Sequence, residues 1–427
     1  MEEWNLISRP RGTEDVLPEE VGKWYFIEEK ARLLSWQYGY REIRTPIFEH
    51  TELFDRGVGD TTDIVEKEMY TFKDRSGRSL TLRPEGTAPV ARAFLEHHLE
   101  AKGLPVKLFY LGPMFRYGRP QAGRLRQFHQ FGVEAFGSPD PSLDAEVIDL
   151  AVAFLEAVGL KRFRLLLNSV GCPLCRGEHR ERLLSYLIPL RERLCPTCRA
   201  RLERNPLRIF DCKEESCQQV VASAPTITSS LCPECREHFH QVQGYLGLLG
   251  IDFVLEPRLV RGLDYYTRTA FELVVEEIGA QSAIGGGGRY DGLVELLGGK
   301  PIPGIGFALG LERVLLALEA QGGVPSRDLV LDVLVVQTSS LLKDKAVTLL
   351  KRLRAAGLKA DRDYLDRSLK AQMKYANRYP ARKVVILGEE EMSQGMAVVR
   401  DLASGVQETI PYDRIEEHIL KAEEGDN

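Results

Sequence analysis

The chain lacks any apolar stretch long enough to cross a membrane, and its first residues, Met1, Glu2 and Glu3, are not an apolar signal core. A bilayer requires about 20 apolar residues in succession. It also lacks a large excess of either charge, since 57 Lys and Arg oppose 62 Asp and Glu in 427 residues, for a net charge of -5. We therefore expect a cytoplasmic protein with no membrane partner. Any contact with nucleic acid must come from local basic surfaces.

Two common nucleotide-binding signatures are also missing. The glycines at 285–288 and 304–310 fit neither a dinucleotide-binding fingerprint nor a phosphate loop with its lysine. Glycine-rich strands permit close approach of the backbone to a ligand, but they also occur where packing is merely tight. Both interpretations of these runs stay open.

Cysteine is concentrated in one part of the chain, with all eight residues between positions 172 and 235. A cytoplasmic chain is an unfavourable setting for disulfides, whereas Cys-x-x-Cys turns bring two thiolates to one metal ion. The eight thiolates fill either two four-cysteine sites or one site with pairs left over, with His179, His238 or His240 as possible substitutes. Packing as reduced cysteines without metal is the alternative. We predict structural rather than catalytic zinc, since no ligand position is left open, with these candidate ligands: Cys172, Cys175, Cys195, Cys198, Cys212, Cys217, Cys232 and Cys235.

The order of secondary-structure patterns predicts an α+β protein of more than one domain, because the chain is too long for one typical core. A helix over 18–38 is followed by short strands with hairpin spacing, which indicates an antiparallel sheet: 68–73, 80–83, 107–116 and 127–136. Strands resume at 253–256 and 269–275, and alternating strands and helices after 326 indicate a small parallel α/β domain. The predicted division is a catalytic domain at 1–170 and 250–325, a cysteine-rich insertion at 171–249 and a C-terminal domain at 328–427.

Three segments carry residues suited to binding an anion or a polar aromatic molecule. Residues 109–134 form a hairpin pattern that delivers Arg116 before a polar loop, and a guanidinium there could hold a phosphate bidentately. A lone arginine is more often only solvated. In residues 304–313, a strand of small residues precedes Glu312 and Arg313. Residues 259–267 combine an arginine, a carboxylate and two phenols, which suits a polar aromatic ligand beside a phosphate.

These segments resemble, in order, the sequence motifs of the class II aminoacyl-tRNA synthetases. The helix with residues 40–46 resembles motif 1, residues 109–134 motif 2 and residues 304–313 motif 3. The resemblance implies a class II antiparallel sheet flanked by helices, and a homodimer built through motif 1. It also implies ATP binding with Mg²⁺, in which Arg116 contacts the α-phosphate and the amino-acid carboxylate, and Arg313 lies on ATP.

Residues 259–267 and 287–293 resemble the two segments peculiar to the histidyl-tRNA synthetase family, and residues 83–87 match that family as well. The resemblance implies that L-histidine is activated with ATP to histidyl-adenylate and transferred to the 3′ end of tRNA(His). Arg261 would then lie on the α-phosphate opposite Arg116, as the second catalytic arginine. A structural salt bridge of Arg261 with Asp264 or a neighbouring acid is the alternative, and Asp264 has no assigned role. The implied histidine-binding residues are Glu85, Gly86, Thr87, Gln130, Glu134, Tyr265 and Tyr266.

The resemblance also implies where tRNA binds. The loop at 117–126 would meet the tRNA acceptor end, and the C-terminal domain resembles the anticodon-binding domain of this subclass. The acceptor candidates are Arg119, Gln121, Arg124 and Arg126. A competing hypothesis is the non-catalytic histidine-sensing regulatory subunit of ATP phosphoribosyltransferase, which uses the same fold. That hypothesis predicts loss of the ATP arginines, yet Arg116, Arg261 and Arg313 are all present.

Overall fold

The computed structural model describes residues 6–59, 62, 64–325, 330–378 and 381–424, apart from the side chains of 280, 281, 377, 378 and 422–424. The chain divides into two compact units, Met1–Arg327 and Asp328–Asn427. Among the described helices, none combines the length and apolar character that a bilayer crossing requires. The finer division of the first unit at 170 and 249 stays a prediction.

The first unit is built on an eight-stranded sheet in which most neighbours are antiparallel. Only the edge pairs β1–β5 and β7–β8 are parallel, so the predicted α+β class with an antiparallel sheet is confirmed. The strand order is β1-β5-β6-β11-β10-β9-β7-β8. The strands are β1 (Arg41–Glu42), β5 (Val106–Phe115), β6 (Gln127–Phe136), β7 (Arg164–Ser169), β8 (Val254–Leu255), β9 (Thr267–Val274), β10 (Ala283–Arg289) and β11 (Gly304–Gly310). A smaller antiparallel sheet, in the order β2-β4-β3, contains β2 (Phe48–His50), β3 (Tyr70–Lys73) and β4 (Ser79–Leu82).

Alternation along β6 separates the two faces of the large sheet. Phe131, Val133 and Ala135 are buried in the main apolar core, and strand geometry turns Gln130 and Glu134 to the opposite face.

The helices of this unit are α1 (Pro18–Gln37), α2 (Thr51–Val58), α3 (Thr87–Glu96), α4 (Pro141–Ala157), α5 (Pro173–Leu187), α6 (Pro196–Arg204), α7 (Glu215–Val221), α8 (Pro233–Leu248), α9 (Leu293–Leu296) and α10 (Leu311–Ala320).

A buried ion pair fastens the end of β10 to the start of α4. The guanidinium of Arg289 and the carboxylate of Asp144 are both fully buried, and Nε of Arg289 lies 3.0 Å from Oδ1 of Asp144. Thr269 donates a hydrogen bond of 2.6 Å to the same carboxylate. A fully desolvated pair requires such additional bonds to offset its loss of hydration. This pair therefore fixes the end of β10, an interior strand of the sheet, within residues 287–293.

The second unit is a five-stranded mixed sheet with helices. Its strands, in the order β13-β12-β14-β15-β16, are β12 (Leu331–Gln337), β13 (Ala360–Arg362), β14 (Ala381–Leu387), β15 (Met396–Asp401) and β16 (Gln407–Pro411). Its helices are α11 (Lys343–Ala355), α12 (Leu369–Arg378), α13 (Glu389–Ser393) and α14 (Ile415–Glu424). The α/β character is confirmed, but the expectation of a parallel sheet is wrong for β15 and β16. These two strands are antiparallel because Asp401 closes a tight turn, accepting hydrogen bonds from the backbone of Ala403 and Ser404.

Candidate active site

A cavity of about 340 Å³ opens on the face of the large sheet that lies away from the main core. Its floor consists of cross-strand neighbours, with Glu272 opposite Gly286 and Gly286 opposite Ala308. A methyl group on Gly286 would lie 2.9 Å from Nη1 of Arg261, so this position leaves room for the arginine. The predicted site residues that line the cavity are Glu85, Thr87, Arg116, Arg124, Gln130, Arg261, Tyr265, Tyr266 and Arg313.

Three arginines converge on this cavity from three different elements. Arg116 follows β5, and its Nε donates a 2.8 Å bond to the carbonyl of Pro84. Arg261 forms an ion pair of 2.6 Å with Oε2 of Glu272. Arg313, in the first turn of α10, donates to the carbonyls of Gly123 at 2.7 Å and Ala283 at 2.6 Å. Burial lowers the pKa of Arg313, and the charge of Arg116 lowers that pKa further. The cations therefore favour an anion between them, and guanidinium groups suit phosphate oxygens.

Two buried carboxylates lie at the other end of the cavity. The carboxylate of Glu85 accepts the backbone N–H groups of Thr87 at 2.7 Å and Ala88 at 2.8 Å, where α3 begins. Glu134 is fully buried behind the lining and accepts a hydrogen bond of 2.7 Å from the hydroxyl of Thr87, and others from Tyr290 and Tyr110. Burial raises the pKa of Glu85, and it raises that of Glu134 well above the ordinary value. Such carboxylates favour a cation or an N–H donor in the cavity.

Aromatic rings form the wall between these two regions. The ring centroids of Tyr265 and Tyr266 lie 4.7 Å apart, and those of Tyr265 and Tyr290 lie 5.7 Å apart. The guanidinium carbon of Arg261 lies 5.8 Å from the ring centroid of Tyr266. A flat polar ring could be held against this wall, with a phosphate next to Arg261.

Some predicted site residues do not line the cavity. Gly86 lies beneath the ring of Tyr110, which a methyl group there would overlap at 2.2 Å, so close packing accounts for this glycine. Asp264, to which the sequence gave no role, also lies outside the lining and accepts a hydrogen bond of 3.0 Å from Nδ2 of Asn205. The partner of Arg261 is thus Glu272, a neighbouring acid, while Asp264 connects its segment to the cysteine-rich region.

The tRNA candidates of the loop at 117–126 fall into two groups. Arg119 and Gln121 are exposed. The other two are held in place: Arg124 lines the cavity and pairs with Glu68, and the guanidinium of Arg126 lies 4.0 Å from the ring centroid of Tyr117. Both exposed side chains are therefore accessible to a large partner.

Tyr110, Asp211, Glu272 and Tyr290 are among the residues around the cavity to which the sequence interpretation gave no role. Glu272 carried a detectable signal, because it is a charge between the buried apolar residues Phe271 and Leu273 of β9, and a charge at such a position requires a partner. Tyr290 stood within the 287–293 resemblance. The remaining two, Tyr110 and Asp211, gave no pattern that distinguishes them from packing or surface residues.

The eight cysteines form two separate groups outside the cavity. Within each group the four Sγ atoms all lie within 4.8 Å of one another. One group contains Cys172, Cys175, Cys232 and Cys235, and the other contains Cys195, Cys198, Cys212 and Cys217. The arrangement of one site with pairs left over does not occur, and His179, His238 and His240 belong to neither group.

Comparison with known protein families gives a match for each of the two units of the chain. A family model described as "Histidyl-tRNA synthetase" matches residues 12–173 and 213–314, and one described as "Anticodon binding domain" matches residues 332–422. The histidine–tRNA ligase of Moorella thermoacetica is 69% identical over 419 residues, which is 98% of this chain and 99% of the relative. The corresponding ligase of Pelotomaculum thermopropionicum is 58% identical over 97% of both chains.

Solved structures agree with the sequence relatives. The crystal structure of apo S. aureus histidyl-tRNA synthetase superposes with a TM-score of 0.83 at 43% identity, covering 97% of this chain and 100% of that one. A histidyl-tRNA synthetase from Nostoc sp. PCC 7120 shares the fold at a TM-score of 0.68 and 21% identity, covering 98% of this chain and 100% of that one. The resemblance to the histidyl-tRNA synthetases is thereby confirmed, and the chain belongs to the histidyl-tRNA synthetase family.

Proposed function

We propose that this cavity activates L-histidine with ATP, and that the chain is a histidine–tRNA ligase. The observation that carries the proposal is one cavity lined by Arg116, Arg261 and Arg313 together with the buried Glu85, with the buried Glu134 behind the lining at Thr87. Histidine offers an ammonium, a carboxylate and an imidazole, and ATP offers phosphates. The cavity has partners for each of these groups, on opposite sides of an aromatic wall.

In the first step, a carboxylate oxygen of histidine attacks the α-phosphorus of ATP. A new P–O bond forms, the bond to the β-phosphate breaks and pyrophosphate leaves. Negative charge increases on the α-phosphoryl oxygens, and we assign Arg116 and Arg261 to stabilise it. Arg313 would hold the nucleotide. In the second step, the terminal ribose hydroxyl of tRNA attacks the adenylate carbonyl, and AMP leaves.

Mg²⁺ arriving with ATP would neutralise phosphate charge, and it prefers carboxylate oxygens and water as ligands. Besides Glu85, four carboxylates line the same cavity as the arginines and provide such oxygens: Glu68, Asp211, Glu272 and Glu312. The site therefore fits a nucleotide with its metal.

We assign the histidine end of the cavity to seven residues. Glu85 and Glu134 are the anionic partners of the ammonium and the imidazole N–H, assisted by Thr87 and Gln130. Tyr265 and Tyr266 supply a ring partner and an aromatic wall, and Gly86 leaves room for Tyr110. Because a site with unpaired buried polar groups rejects incomplete ligands strongly, histidine is selected without an editing step.

The reaction is tested by pyrophosphate exchange with each amino acid in turn, followed by charging of total tRNA. Histidine alone is expected to support exchange. The competing hypothesis, a non-catalytic histidine sensor of ATP phosphoribosyltransferase, predicts histidine binding without exchange. Silence with every amino acid would overturn the ligase function.

The affinity for histidine is expected to fall as the pH falls. The raised pKa values of Glu85 and Glu134 mean that these carboxyls take up protons at a higher pH than ordinary glutamates, and the protonated form cannot accept an N–H or balance the ammonium. Isothermal titration from pH 8 to pH 5 with a triazole analogue of histidine, whose ring stays neutral, removes the contribution of the substrate imidazole and keeps the substrate's ammonium charged throughout. A flat affinity over this range would contradict the assignment.

We propose further that the chain acts as a homodimer through the motif 1 region. Exposed large apolar side chains support this proposal: Tyr25 is 48% exposed, Leu33 45% and Trp36 58% on α1, and Phe48 is 52% exposed on β2. The three residues on α1 share one face of the helix by their spacing, and apolar groups concentrated on one face commonly mark an interface. Light scattering coupled to gel filtration gives the mass directly, and a monomer at micromolar concentration would contradict the proposal.

For tRNA, we propose that Arg119, Gln121, Arg124 and Arg126 serve the acceptor end, and that the second unit, predicted at 328–427, binds the anticodon. We also propose that residues 171–249 are an insertion between catalytic segments 1–170 and 250–325. The elements within 173–248 are helical, in contrast to the strands on either side. Neither cysteine group lines the cavity, and we propose that zinc has a structural role at both.

A further inference from the structure

The sulfur geometry of the two cysteine groups suits metal ions rather than disulfides. Sγ of Cys172 lies 3.6 Å from Sγ of Cys175 and 4.0 Å from Sγ of Cys232, and Sγ of Cys195 lies 3.8 Å from Sγ of Cys212. A disulfide requires about 2.05 Å. Four sulfurs placed tetrahedrally at about 2.3 Å from zinc lie about 3.8 Å apart. The cysteines thus have the spacing of a filled coordination shell.

The backbone around each group supports thiolates in this arrangement. Cys172, Cys195 and Cys232 each stand immediately before a helix that begins with proline, so the free N–H groups of the first turn lie near the sulfurs. The N–H of Cys232 donates to Sγ of Cys175 at 3.1 Å, and the N–H of Cys195 donates to Sγ of Cys217 at 3.2 Å. Metal-bound thiolates carry negative charge, which such donors stabilise.

The second group is joined to the cavity by the segment at 205–211, which runs between Cys198 and Cys212. Nδ2 of Asn205 donates to Oδ1 of Asp264 at 3.0 Å, and Nη1 of Arg208 donates to the carbonyl of Gly262 at 3.2 Å. Asp211, which precedes Cys212, lines the cavity itself. Two direct bonds therefore reach the segment that carries Arg261.

Apolar packing makes the same connection. Val260 packs against a buried cluster that includes Cys198, Cys212 and Cys217 together with Leu202 and neighbouring apolar residues. Cys198, Cys212 and Cys217 are thus part of the apolar cluster that supports Val260, the residue before Arg261. A small core of this kind is held more firmly by an ion than by its apolar contacts alone.

We propose that each cysteine group binds one tetrahedral zinc ion, and that the ion at Cys195, Cys198, Cys212 and Cys217 positions Arg261 through Asn205, Arg208 and Val260. The ion at Cys172, Cys175, Cys232 and Cys235 is a separate site. Neither ion takes part in the reaction. The positioning role rests on the proposed function, whereas the two metal sites do not.

The metal sites are tested by elemental analysis of full-length protein purified without chelator. The parent protein is expected to hold two zinc ions per chain. The variant Cys198→Ser/Cys212→Ser and the variant Cys175→Ser/Cys235→Ser are each expected to hold one. One ion or fewer in the parent protein would overturn the two-site assignment, and iron in its place would overturn the identity of the ion. Substitution with Co²⁺ checks the geometry, because tetrahedral thiolate sites give intense visible bands, and weak bands would contradict it.

The positioning role is tested first with the cysteines intact and then with the second group removed. Asn205→Ala/Arg208→Ala is expected to keep two zinc ions while the kcat for histidine-dependent pyrophosphate exchange falls by about 100-fold, the scale of a displacement of about 1 Å. The variant without the second ion, Cys198→Ser/Cys212→Ser, is expected to show the same loss. The loss is expected in kcat more than in histidine affinity, since Arg261 is assigned to the reacting phosphate rather than to histidine.

Arg180→Ala is the matched control, because Arg180 also donates to a backbone carbonyl within the helical region, that of Glu203 at 3.1 Å, but not to residues 259–266. Its rate is expected to stay within about twofold of the parent protein, as for most surface substitutions. A parent-like rate in Asn205→Ala/Arg208→Ala would overturn the positioning role. A parent protein without any histidine-dependent exchange would overturn the proposed function but leave the zinc count standing.

Discussion

Replacing Arg261 with alanine is expected to slow histidine-dependent pyrophosphate exchange by about 100- to 1000-fold, the usual effect of removing a preorganised donor at a transition-state charge. The guanidinium lines the cavity beside the aromatic wall and is held at 2.6 Å by Glu272 before any phosphate enters. The ion pair fixes the arginine in advance, so little reorganisation is required during the reaction.

The ion pair also provides the competing explanation, in which Arg261 is purely structural. Arg162→Ala is the matched control, since Arg162 forms an ion pair of the same length, 2.6 Å, with Glu277 outside the cavity. That variant is expected to exchange pyrophosphate at the parent rate. If Arg261 were only structural, Arg261→Ala would lower the melting temperature and leave the exchange rate of the folded protein unchanged.

Glu134→Gln is expected to raise the KM for histidine by about 100-fold, because a buried charged hydrogen bond to the substrate contributes about 2 to 5 kcal/mol. The partners of Glu134 within the described structure are the hydroxyls of Thr87, Tyr110 and Tyr290, so the substrate would bring the missing cation or N–H. Initial rates of exchange at varied histidine concentration measure the effect. A parent-like KM would contradict the assignment.

The same substitution is expected not to lower the thermal stability. Burial raises the pKa of Glu134, so the folded protein favours the neutral carboxyl, and the free energy of unfolding falls as the pH rises through that raised pKa. Glutamine is neutral at every pH and removes this dependence. Differential scanning calorimetry at pH 6 and pH 9 shows whether the dependence disappears.

Asp144→Asn is the informative contrast, because Asp144 is equally buried but has a resident cation, Arg289. Neutralising it leaves a buried guanidinium short of its main counterion, at a cost of about 3 kcal/mol. We therefore expect the melting temperature to fall for Asp144→Asn and not for Glu134→Gln. This result would show that Asp144 stabilises the fold through Arg289, whereas Glu134 contributes to substrate binding and not to stability.

The large sheet and its central hairpin could be predicted from local pattern. The strand expected at 127–136 has those limits in the structure, because alternating apolar residues and a polar loop define it without reference to the rest of the chain. The antiparallel strands β15 and β16 were not predicted. Their pairing depends on the Asp401 turn, whose hydrogen bonds are not visible as periodicity.

The candidate site was predictable where a residue belonged to a motif and unpredictable where it depended on long-range pairing. Arg116, Arg261 and Arg313 come from three distant segments, and only the resemblance placed them together. Glu272 and Asp211 line the cavity because β9 and the segment at 205–211 fold beside it. The local sequence around these two residues does not predict that arrangement. The cysteine spacing left the choice of groups open, since a Cys-x-x-Cys pair does not specify its partner pair.

Arg313 donates to the carbonyl of Gly123, in the loop assigned to the tRNA acceptor end, and to the carbonyl of Ala283, under the assigned nucleotide position. A nucleotide that draws this guanidinium toward its phosphates must compete with the loop for the same donors. Thermodynamic linkage then requires the effect to be mutual. If ATP binding changes the equilibrium between loop positions by some factor, a tRNA that moves the loop changes the affinity for ATP by the same factor. The side chain of Arg313 would thus make the affinity for ATP depend on whether tRNA is bound, and the affinity for tRNA depend on whether ATP is bound.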